Sequence, residues 1–586
     1  MASPPTGLDA LLREAFGAIQ AGDWQRAASI AGRAVAFAPG SAEAHHLAAV
    51  AARNTGRLPD AIASLERAVA LRPAFFDAWL NLGNAFLESR DPERALRCYA
   101  TAAALDASVA QLHNNSGNAH RDAGRPAEAI DAYRRALAID PRYASAHSNL
   151  GNVLKDLDDA EGAIREFREA LALVPDRPDL WSNLLFTLNC VDTTSPQAVF
   201  EEHRGYGARL SPRLPALPPA HRNPPGGRRL RVGYVSADFR RHAVASFFEP
   251  LLAAHDRGRV EVFCYYNQMV GDDVTARIQA LAEHFAVVRT LTDRDLAARI
   301  RADAIDVLVD LNGHTADNRL PLFFFRPAPV QATWLGYLGT TGVPQVDYRI
   351  TDRHADPEGL TEEFHTERLW RLPRTLWCYR AYADAPAVAP APADAARHIT
   401  FACLNNPGKV SLRMLQAWAE VLKATEGSRL LLLAAAHPAR AAELERFFAG
   451  RGIDRSRLEI VSRRPLRDYL ALYAAADIAL DTSPYGGGAT TCDALWMGVP
   501  VVTLATNRSF GRSAASILAN VGLEDLVATT RDAYVQCAVA LAGDRDRLRS
   551  LRASLRDRML RSPLMDAAGF ARDLEDAFFE MAAGRL

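Results

Sequence analysis

The chain has 586 residues, of which 49% are hydrophobic and 23% are charged, and its formal net charge is −1. This length exceeds one compact core, so we expect about three domains of roughly 100–200 residues each. The near-zero charge excludes the basic field that dominates nucleic-acid binding, so we expect no nucleic-acid partner.

The cysteines and the N-terminal segment indicate a cellular compartment. The seven cysteines are far apart and form no CxxC pair, which argues against a zinc cluster and against a disulfide framework. The N-terminus lacks a basic stretch before an apolar core, and no apolar run reaches about 18 residues. We therefore expect reduced thiols, a cytoplasmic location and no membrane association.

A repeat with a period of 34 residues fills the first third of the chain. Its copies begin at Ala42, Phe76, Ala110 and Ala144, and each contains two blocks of small and apolar residues at helical spacing. Glycines and asparagines keep the same phase at Gly83, Gly117, Gly151, Asn81, Asn115, Asn149 and Asn183. The pattern resembles the tetratricopeptide repeat (TPR). It predicts helix pairs stacked into a solenoid with a concave, peptide-sized surface.

A segment rich in proline and glycine follows the repeats. We place a TPR solenoid of about five repeats at residues 1–190 and a linker at 191–228, where RLSPRLPALPPAHRNPPGGRR is typical of loops. Two further regions follow, at 229–384 and 385–586, and the segment YADAPAVAPAPADAA separates them.

Ten strand-like apolar runs alternate with amphipathic helical stretches in these two regions. The runs are 230–236, 260–266, 305–313, 329–337, 346–352, 398–405, 428–435, 458–463, 476–481 and 500–505. Such alternation predicts buried parallel sheets with helices on both faces. The expected fold is therefore an all-α solenoid followed by two Rossmann-like α/β halves that face each other across a cleft.

The turn after the run ADIALD has the features of a phosphate site. Residues 486–488 are glycines that permit a ligand to approach the backbone closely, and Thr490 and Thr491 open a helix with unpaired N–H groups. Asp493, in the first turn of that helix, can accept a hydrogen bond from a ribose hydroxyl. Glycine-rich turns also occur in α/β folds that bind nothing there, so this stretch alone leaves both interpretations open.

A lysine follows the first strand of the last region. In FACLNNPGKVSLRMLQAW, Lys409 lies on the loop at the carboxyl end of the strand, where an ammonium group can hold a diphosphate leaving group. A lone lysine is usually a solvated surface residue. Lys409 and the glycine-rich turn, however, follow strands of the same half, which favours a shared site.

Several motifs carry a resemblance to a known family. RVGYVSADFRRH, DLNGHTADNRL, LNNPGKVSL and LDTSPYGGGATTCDALWMGVP resemble signatures of the nucleocytoplasmic protein O-GlcNAc transferase family, and most closely its SPINDLY branch. The resemblance covers nearly the whole chain. It implies a GT-B glycosyltransferase that holds a nucleotide sugar in its C-terminal half and takes a protein or peptide acceptor along the concave TPR surface. It implies no cofactor, and it allows a homodimer.

The resemblance also assigns roles to single residues. Lys409 matches the lysine that contacts the donor diphosphate, and His242 matches a histidine near the reaction centre. The donor-binding set is Asn405, Gly487, Gly488, Thr490, Thr491 and Asp493. Asn81, Asn115, Asn149 and Asn183 match the asparagine ladder that grips the acceptor backbone. His314, which follows another predicted strand, completes the acceptor-binding set by its position rather than by the resemblance.

Ordinary structural roles compete with some of these assignments. His242 can cap a turn, His314 can bond to its own loop, and the asparagines can stabilise turns of the solenoid. The triplet DRD at 293–295 and 544–546 lies at helix starts, where aspartate caps a helix, so we expect no metal site there.

One departure from the family pattern concerns the donor. O-GlcNAc transferases typically carry a histidine where this chain has Ala489, while SPINDLY-type plant enzymes transfer fucose from GDP-fucose. We expect an inverting transferase that moves GlcNAc from UDP-GlcNAc to Ser/Thr hydroxyls. Fucose from GDP-fucose is the first alternative, and a TPR adaptor with a silent transferase half is the second.

Overall fold

The computed structural model describes residues 7–217, 228–434 and 438–584. These residues form two compact units, one of 7–154 with 165–174 and one of 155–164 with the described part of 175–584. The division between these units falls within the repeats. None of the helices in the described ranges has both the length and the apolarity needed to cross a membrane.

Helices α1 to α10 form the repeats. They are α1 (Gly7–Gln20), α2 (Trp24–Phe37), α3 (Ala42–Asn54), α4 (Leu58–Leu71), α5 (Phe76–Glu88), α6 (Pro92–Leu105), α7 (Ala110–Asp122), α8 (Pro126–Ile139), α9 (Ala144–Asp156) and α10 (Ala160–Leu173). The helices α3, α5, α7 and α9 begin at the four predicted repeat starts. The predicted period of 34 residues is therefore confirmed as a succession of helix pairs.

The repeated glycines make room for aromatic side chains. A Cβ atom on Gly83 would lie 2.4 Å from Tyr99 Cε1, and one on Gly117 would lie 2.5 Å from Tyr133 Cε1. Gly151 faces Phe167 in the same way, at 2.7 Å. Contacts this short do not occur for real Cβ atoms. The regular spacing of these glycines is therefore explained by close packing between the two helices of each repeat.

Two further helices, α11 (Pro178–Leu188) and α12 (Pro196–Leu210), follow the repeats. The linker predicted at 191–228 is wrong over 196–210, because Ser195 caps a helix there by accepting a hydrogen bond from Ala198 N (3.2 Å). Pro196 at the first helical position, where its missing N–H costs nothing, favours this start. The most proline- and glycine-rich part of the predicted linker, 218–227, lies outside the described residues.

The first α/β half contains a seven-stranded sheet. Its elements are β1 (Leu230–Ser236), α13 (Ala245–Ala254), β2 (Val260–Tyr266), α14 (Asp273–Leu281), β3 (His284–Val287), α15 (Asp293–Ala302), β4 (Val307–Asp310), α16 (Leu320–Phe324), β5 (Val330–Thr333), β6 (Tyr348–Asp352) and β7 (Arg368–Leu372). The strand order is β3-β2-β1-β4-β5-β6-β7, and every pairing is parallel.

The second half contains a six-stranded parallel sheet in the order β10-β9-β8-β11-β12-β13. Its elements are α17 (Pro392–Ala396), β8 (Thr400–Cys403), α18 (Leu412–Ala424), β9 (Arg429–Leu433), α19 (Pro438–Ala449), β10 (Leu458–Val461), α20 (Leu466–Ala471), β11 (Ile478–Leu480), α21 (Ala489–Trp496), β12 (Val501–Leu504), α22 (Ser513–Asn520), β13 (Val527–Ala528), α23 (Arg531–Gly543), α24 (Arg545–Leu560) and α25 (Ala567–Ala583).

Each of the ten predicted strand runs contains a strand, and the two predicted Rossmann-like halves are confirmed. The last helix, α25, returns to the first half: Glu575 Oε1 accepts hydrogen bonds from the His255 ring (2.9 Å) and from Asp256 N (2.9 Å). The second of the DRD triplets behaves as predicted, because Asp544 caps α24 by accepting from Arg547 N (2.9 Å).

Candidate functional site

The centre of the second sheet offers the natural place for a ligand. Strand β8 lies between β9 and β11, so the strand order reverses at the β8–β11 pair. The loops that leave these two strands run to opposite sides of the sheet, and a crevice opens beyond their carboxyl ends. Both loops that the sequence singled out, the one with Lys409 and the one with glycines 486–488, leave the sheet at this point.

Lys409 bridges the two loops. Its Nζ donates a hydrogen bond to the carbonyl oxygen of Gly486 (3.3 Å) and lies 3.7 Å from the ring centroid of Tyr485. Burial lowers the pKa of Lys409 from its ordinary value, and Cys190 and Asp481 oppose this shift. The lysine is one of only three in the chain, against 68 basic residues in total. An ammonium group half-removed from water is suited to balance the charge of a bound anion.

A buried carboxylate, Asp481, holds the glycine-rich loop in place. Asp481 Oδ1 accepts from Gly487 N (2.8 Å) and from Asn405 Nδ2 (2.8 Å), and Oδ2 accepts from Thr503 Oγ1 (2.7 Å). Asn405 also donates to Thr482 Oγ1 (2.8 Å), so its side-chain amide connects Asp481 with the next residue of the same loop. In this structure Asn405 positions the loop. Its predicted contact with the donor stays a prediction.

Only one of the two glycines in the donor-binding set is required by sterics. A Cβ atom on Gly487 would lie 2.6 Å from Thr490 Oγ1 and 2.8 Å from Thr491 Oγ1, whereas one on Gly488 would meet nothing closer than 3.4 Å. Thr491 Oγ1 donates to the Gly487 carbonyl (3.1 Å), which fixes the turn against the start of α21. Thr491 N and Cys492 N make the first backbone hydrogen bonds of α21, both to the Gly488 carbonyl, so the preceding N–H groups of Ala489 and Thr490 are available to an anion.

Asp493 lies on α21 beside two tyrosines. Its Oδ1 accepts from Tyr379 Oη (2.9 Å) and its Oδ2 accepts from Tyr469 Oη (3.2 Å). Burial raises the pKa of Asp493 to about 7, and the two tyrosine hydrogen bonds oppose the rise. Tyr469 also lines a cavity of about 210 Å³, together with Asn406, Arg463, Arg464, Leu433 and Leu472. Asp493 is therefore connected to a cavity at the carboxyl ends of β8, β9 and β10.

His242 lies on the loop after β1 in the first sheet. Its Nδ1 accepts from Val244 N (3.3 Å) and lies 3.6 Å from Asp238 Oδ2. Asp238 is itself held by Asn312 Nδ2 (2.7 Å). Burial lowers the pKa of His242, and Asp238 opposes this shift. Because Nδ1 accepts a hydrogen bond, the neutral ring carries its proton on Nε2.

Aromatic contacts connect the His242 loop to the donor loops. Phe247, in the helix that follows His242, lies 5.5 Å from Tyr379 between ring centroids and 5.3 Å from Trp377. Tyr379 donates to Asp493, and Trp377 is the nearest neighbour of Gly488. The two halves therefore meet between the His242 loop and α21.

His314 is buried in the structure. Its Nε2 bonds to the Thr341 carbonyl (2.8 Å), and its Nδ1 bonds to Ser182 Oγ (3.0 Å) on α11. Tyr206 and Tyr337 contact the ring edge-on, at 4.9 and 5.2 Å between centroids. Burial holds the pKa of His314 well below its ordinary value. Both partners lie outside the loop of His314, so the predicted alternative, a bond within that loop, is not what these two contacts are. Contact of His314 with an acceptor stays a prediction.

The in-phase asparagines connect neighbouring repeats. Asn81 Nδ2 bonds to His46 Nε2 (2.8 Å), Asn115 Nδ2 donates to Asn84 Oδ1 (2.8 Å), and Asn149 Nδ2 donates to Asn114 Oδ1 (2.9 Å). Each bond joins the first helices of two successive repeats. Asn183 lies on α11, in the second compact unit. Contact of these side chains with an acceptor stays a prediction.

The model of glycosyl transferase family 41 matches residues 216–380 and 391–574. The chain belongs to this family. Models of the TPR and tetratricopeptide repeat match residues 51–89, 117–158, 78–110 and 144–177. Both parts of the predicted family membership are therefore confirmed.

Relatives of this family 41 chain include proteins named probable UDP-N-acetylglucosamine–peptide N-acetylglucosaminyltransferase SPINDLY. The Solanum lycopersicum protein is 36% identical over 405 residues, and the Hordeum vulgare protein is 38% identical over 407 residues. Each match covers 68% of this chain and 43% of the relative, so the chain spans less than half the length of these plant proteins. The branch resemblance to SPINDLY is confirmed.

A solved structure is also similar. A mutant of the Thermobaculum terrenum O-GlcNAc transferase superposes with a TM-score of 0.80 at 37% identity, covering 87% of this chain and 98% of that one.

Several residues of the family 41 site escaped the sequence analysis. Asp481 had a local signal, since it ends the predicted strand run 476–481 at the edge where ligands bind. Arg463 ends another predicted run, 458–463, and Arg464 follows it. Tyr379 had no such signal, because it comes from the other half of the fold and reaches Asp493 only through tertiary contact.

Proposed function

We propose that this chain is an inverting protein O-glycosyltransferase that moves a sugar from a nucleotide diphosphate donor to a serine or threonine hydroxyl. The observation that carries the proposal is the junction of the Lys409 loop with the glycine-rich loop at the switch point of the second sheet. Lys409, the N-terminus of α21 and Gly487, a glycine that lets a ligand approach the backbone closely, lie together there. Together they form the kind of site that holds a diphosphate.

The proposed reaction forms one bond and breaks one. The acceptor oxygen attacks the anomeric carbon, the bond from that carbon to the diphosphate breaks, and the electron pair leaves with the diphosphate. Negative charge then develops beside Lys409 and the first turn of α21. Preorganised donors at such a position lower the barrier, because they need no reorganisation as the charge appears.

The acceptor proton needs a base, and we leave that base unassigned. His242 is half-exposed on the loop after β1 and has Asp238 as a neighbour. A base would need a free Nε2, yet Nδ1 accepts from Val244 N and so favours the proton on Nε2. We therefore propose that His242 contacts the reaction centre and positions the acceptor.

For the donor we propose UDP-GlcNAc. Support comes from relatives named for UDP-N-acetylglucosamine and from the similarity to an O-GlcNAc transferase structure. GDP-fucose is the competing donor, and the observation that favours it is Ala489, which stands where O-GlcNAc transferases typically carry a histidine. For acceptors we propose proteins or peptides that contact the asparagines of the repeats.

A direct assay tests the proposal. Purified full chain is incubated with UDP-GlcNAc, UDP-glucose or GDP-fucose and an acceptor lysate, and nucleotide release and acceptor mass gain are followed. Lys409→Ala should lower the rate by about 10²–10³, the usual cost of removing one such donor group. Lys423→Ala is the matched control, because Lys423 is an exposed lysine of the next helix, α18.

The outcomes separate the candidate functions. A lysine-dependent mass gain with one donor supports the transferase and identifies its sugar. Gain with GDP-fucose alone replaces GlcNAc by fucose. If no donor raises the melting temperature and none supports transfer, the transferase proposal is wrong and the TPR adaptor takes its place.

A further inference from the structure

A second cavity, of about 700 Å³, lies at the other end of the same sheet edge. Its walls come from the loops after β11, β12 and β13, from the start of α18, and from residues 192–196 between α11 and α12. Neither Lys409 nor the α21 residues Thr490, Thr491 and Asp493 line it. The cavity is therefore distinct from the candidate donor site, although Pro484 in the loop after β11 belongs to its wall.

Four guanidinium groups line this cavity, and a single carboxylate accompanies them. The arginines are Arg413, Arg508, Arg512 and Arg531, and the carboxylate is Asp192. Arg531 pairs with Glu420. Within the described ranges the other three arginines form no direct ion pair, although Asp192 attracts Arg508, and Asp356 and Asp352 attract Arg512, over longer distances. The cavity wall therefore carries an excess of positive charge, in a chain whose formal net charge is −1.

Neutral acceptors hold two of these arginines in place. Arg508 Nη1 donates to the Val191 carbonyl (3.2 Å), while Arg512 donates through Nε to the His354 carbonyl (3.1 Å) and through Nη1 to the Thr506 carbonyl (3.2 Å). Carbonyl oxygens orient a guanidinium group without cancelling its charge. A guanidinium group that is oriented, partly buried and not directly paired with a carboxylate is suited to bind an anion.

The remaining wall combines polar side chains with apolar ones such as Leu360 and Met414. Hydroxyl and amide side chains line the cavity from four segments, at Thr193, Thr194, Ser483, Asn507, Thr529 and Thr530. Arg413 and Thr530 also stand at the starts of α18 and α23, helices of 13 residues each, whose N-termini add partial positive charge. A bare phosphate ion would fill only a small part of this volume. The rest of the wall suits a ligand with many hydroxyl groups.

We infer that this cavity binds a small phosphorylated molecule rich in hydroxyl groups, of the sugar-phosphate class. The phosphate group lies among Arg413, Arg508 and Arg512, and the hydroxyl-bearing body contacts the threonine-rich wall. The inference does not depend on the proposed transferase function, because none of the donor-loop residues assigned above contributes to it.

Binding to the full chain is measured by titration calorimetry with glucose 6-phosphate, glucose 1-phosphate and fructose 1,6-bisphosphate. Inorganic phosphate and glucose are the comparison ligands. At least one sugar phosphate should bind more tightly than inorganic phosphate, and glucose should not bind. Affinity should fall as salt rises, since screening weakens charge attraction.

Variants locate the site. Arg413→Gln removes an exposed guanidinium that holds no other group in the described structure, so it should leave the fold intact and weaken binding roughly ten- to hundredfold, the worth of one charged hydrogen bond. Arg512→Gln should act in the same direction. Arg561→Gln, at an exposed arginine outside the cavity, and Lys409→Ala should leave the affinity unchanged.

Four results would overturn the inference. The first is no binding of any of the three sugar phosphates. The second is equal affinity for inorganic phosphate, which would reduce the cavity to a simple anion site. The third is loss of binding in Lys409→Ala, which would place the ligand in the donor site. The fourth is binding of a phosphoserine peptide while the sugar phosphates fail, which would make the partner a protein.

Discussion

The buried carboxylate of Asp493 makes the stability of this protein depend on pH in a way that can be worked out. Burial raises its pKa from 3.8 to about 7 in the folded chain. The folded state therefore holds the proton more tightly than the unfolded state. The stabilisation from protonated Asp493 is complete at a pH below its pKa in the unfolded chain. It is lost as the pH rises through its pKa in the folded chain.

The size of the effect follows from the two pKa values. A shift of about three units corresponds to about 4 kcal/mol in total, of which roughly 2–3 kcal/mol is lost between pH 5 and pH 8. Asp493→Asn keeps the shape of the side chain but removes its charge. The variant should therefore lack this part of the pH dependence, and its stability relative to the wild-type chain should rise with pH.

The assay is urea unfolding of the full chain at pH 5, 6, 7 and 8, with wild type and variant measured side by side so that other titrating groups cancel. Asp546→Asn is the control, because Asp546 is 93% exposed. Parallel curves for wild type and Asp493→Asn would refute the reasoning. Under the proposed function, Asp493→Asn should also weaken donor binding, because it removes the carboxylate that accepts from the ribose. For the same reason, donor binding to the wild-type chain should weaken as the pH falls below about 7.

The other predictions concern glycines and are tested by simple variants. Gly117→Ala should destabilise the packing of α7 against α8 by about 1–3 kcal/mol, because the new Cβ would clash with Tyr133. Gly32→Ala is the control: a Cβ there would meet nothing within 4 Å, so the variant should stabilise α2 by up to about 1 kcal/mol. Hydrogen exchange of the repeat peptides measures both, and a stabilising Gly117→Ala would contradict the packing argument. Gly487→Ala should reduce the rate of sugar transfer at least tenfold with little change in melting temperature, because the new Cβ displaces Thr490 and Thr491. An unchanged transfer rate would show that this turn tolerates the displacement.

The strands that the sequence analysis missed have a common location. Strands β3, β7 and β13 are edge strands of the two sheets. An edge strand has one neighbour and is only partly covered, so it lacks the continuous apolar run that marked the nine central strands. The fourth edge strand, β10, was predicted because its run LEIV is almost wholly apolar. The helix α12 was missed for a related reason, since the surrounding prolines and glycines outweighed its own short apolar pattern.

Local sequence determined the repeats, the strand runs and the two loops that meet at the switch point. Each of these depends on periodicity or on the chemistry of a few adjacent residues, and such information is contiguous in the chain. The placement of Lys409 beside a glycine-rich turn could be predicted because both loops follow central strands of one parallel sheet.

Only the tertiary structure decided which side chains share a site. Asp481 and Asn405 are 76 residues apart in the chain, and Tyr379 reaches Asp493 across 114 residues. His314 is a further example: the sequence left its role open, and only the fold brings Ser182 and Thr341 to its two ring nitrogens. Burial and hydrogen-bond partners arise when distant segments pack together, and for that reason no local pattern carries them.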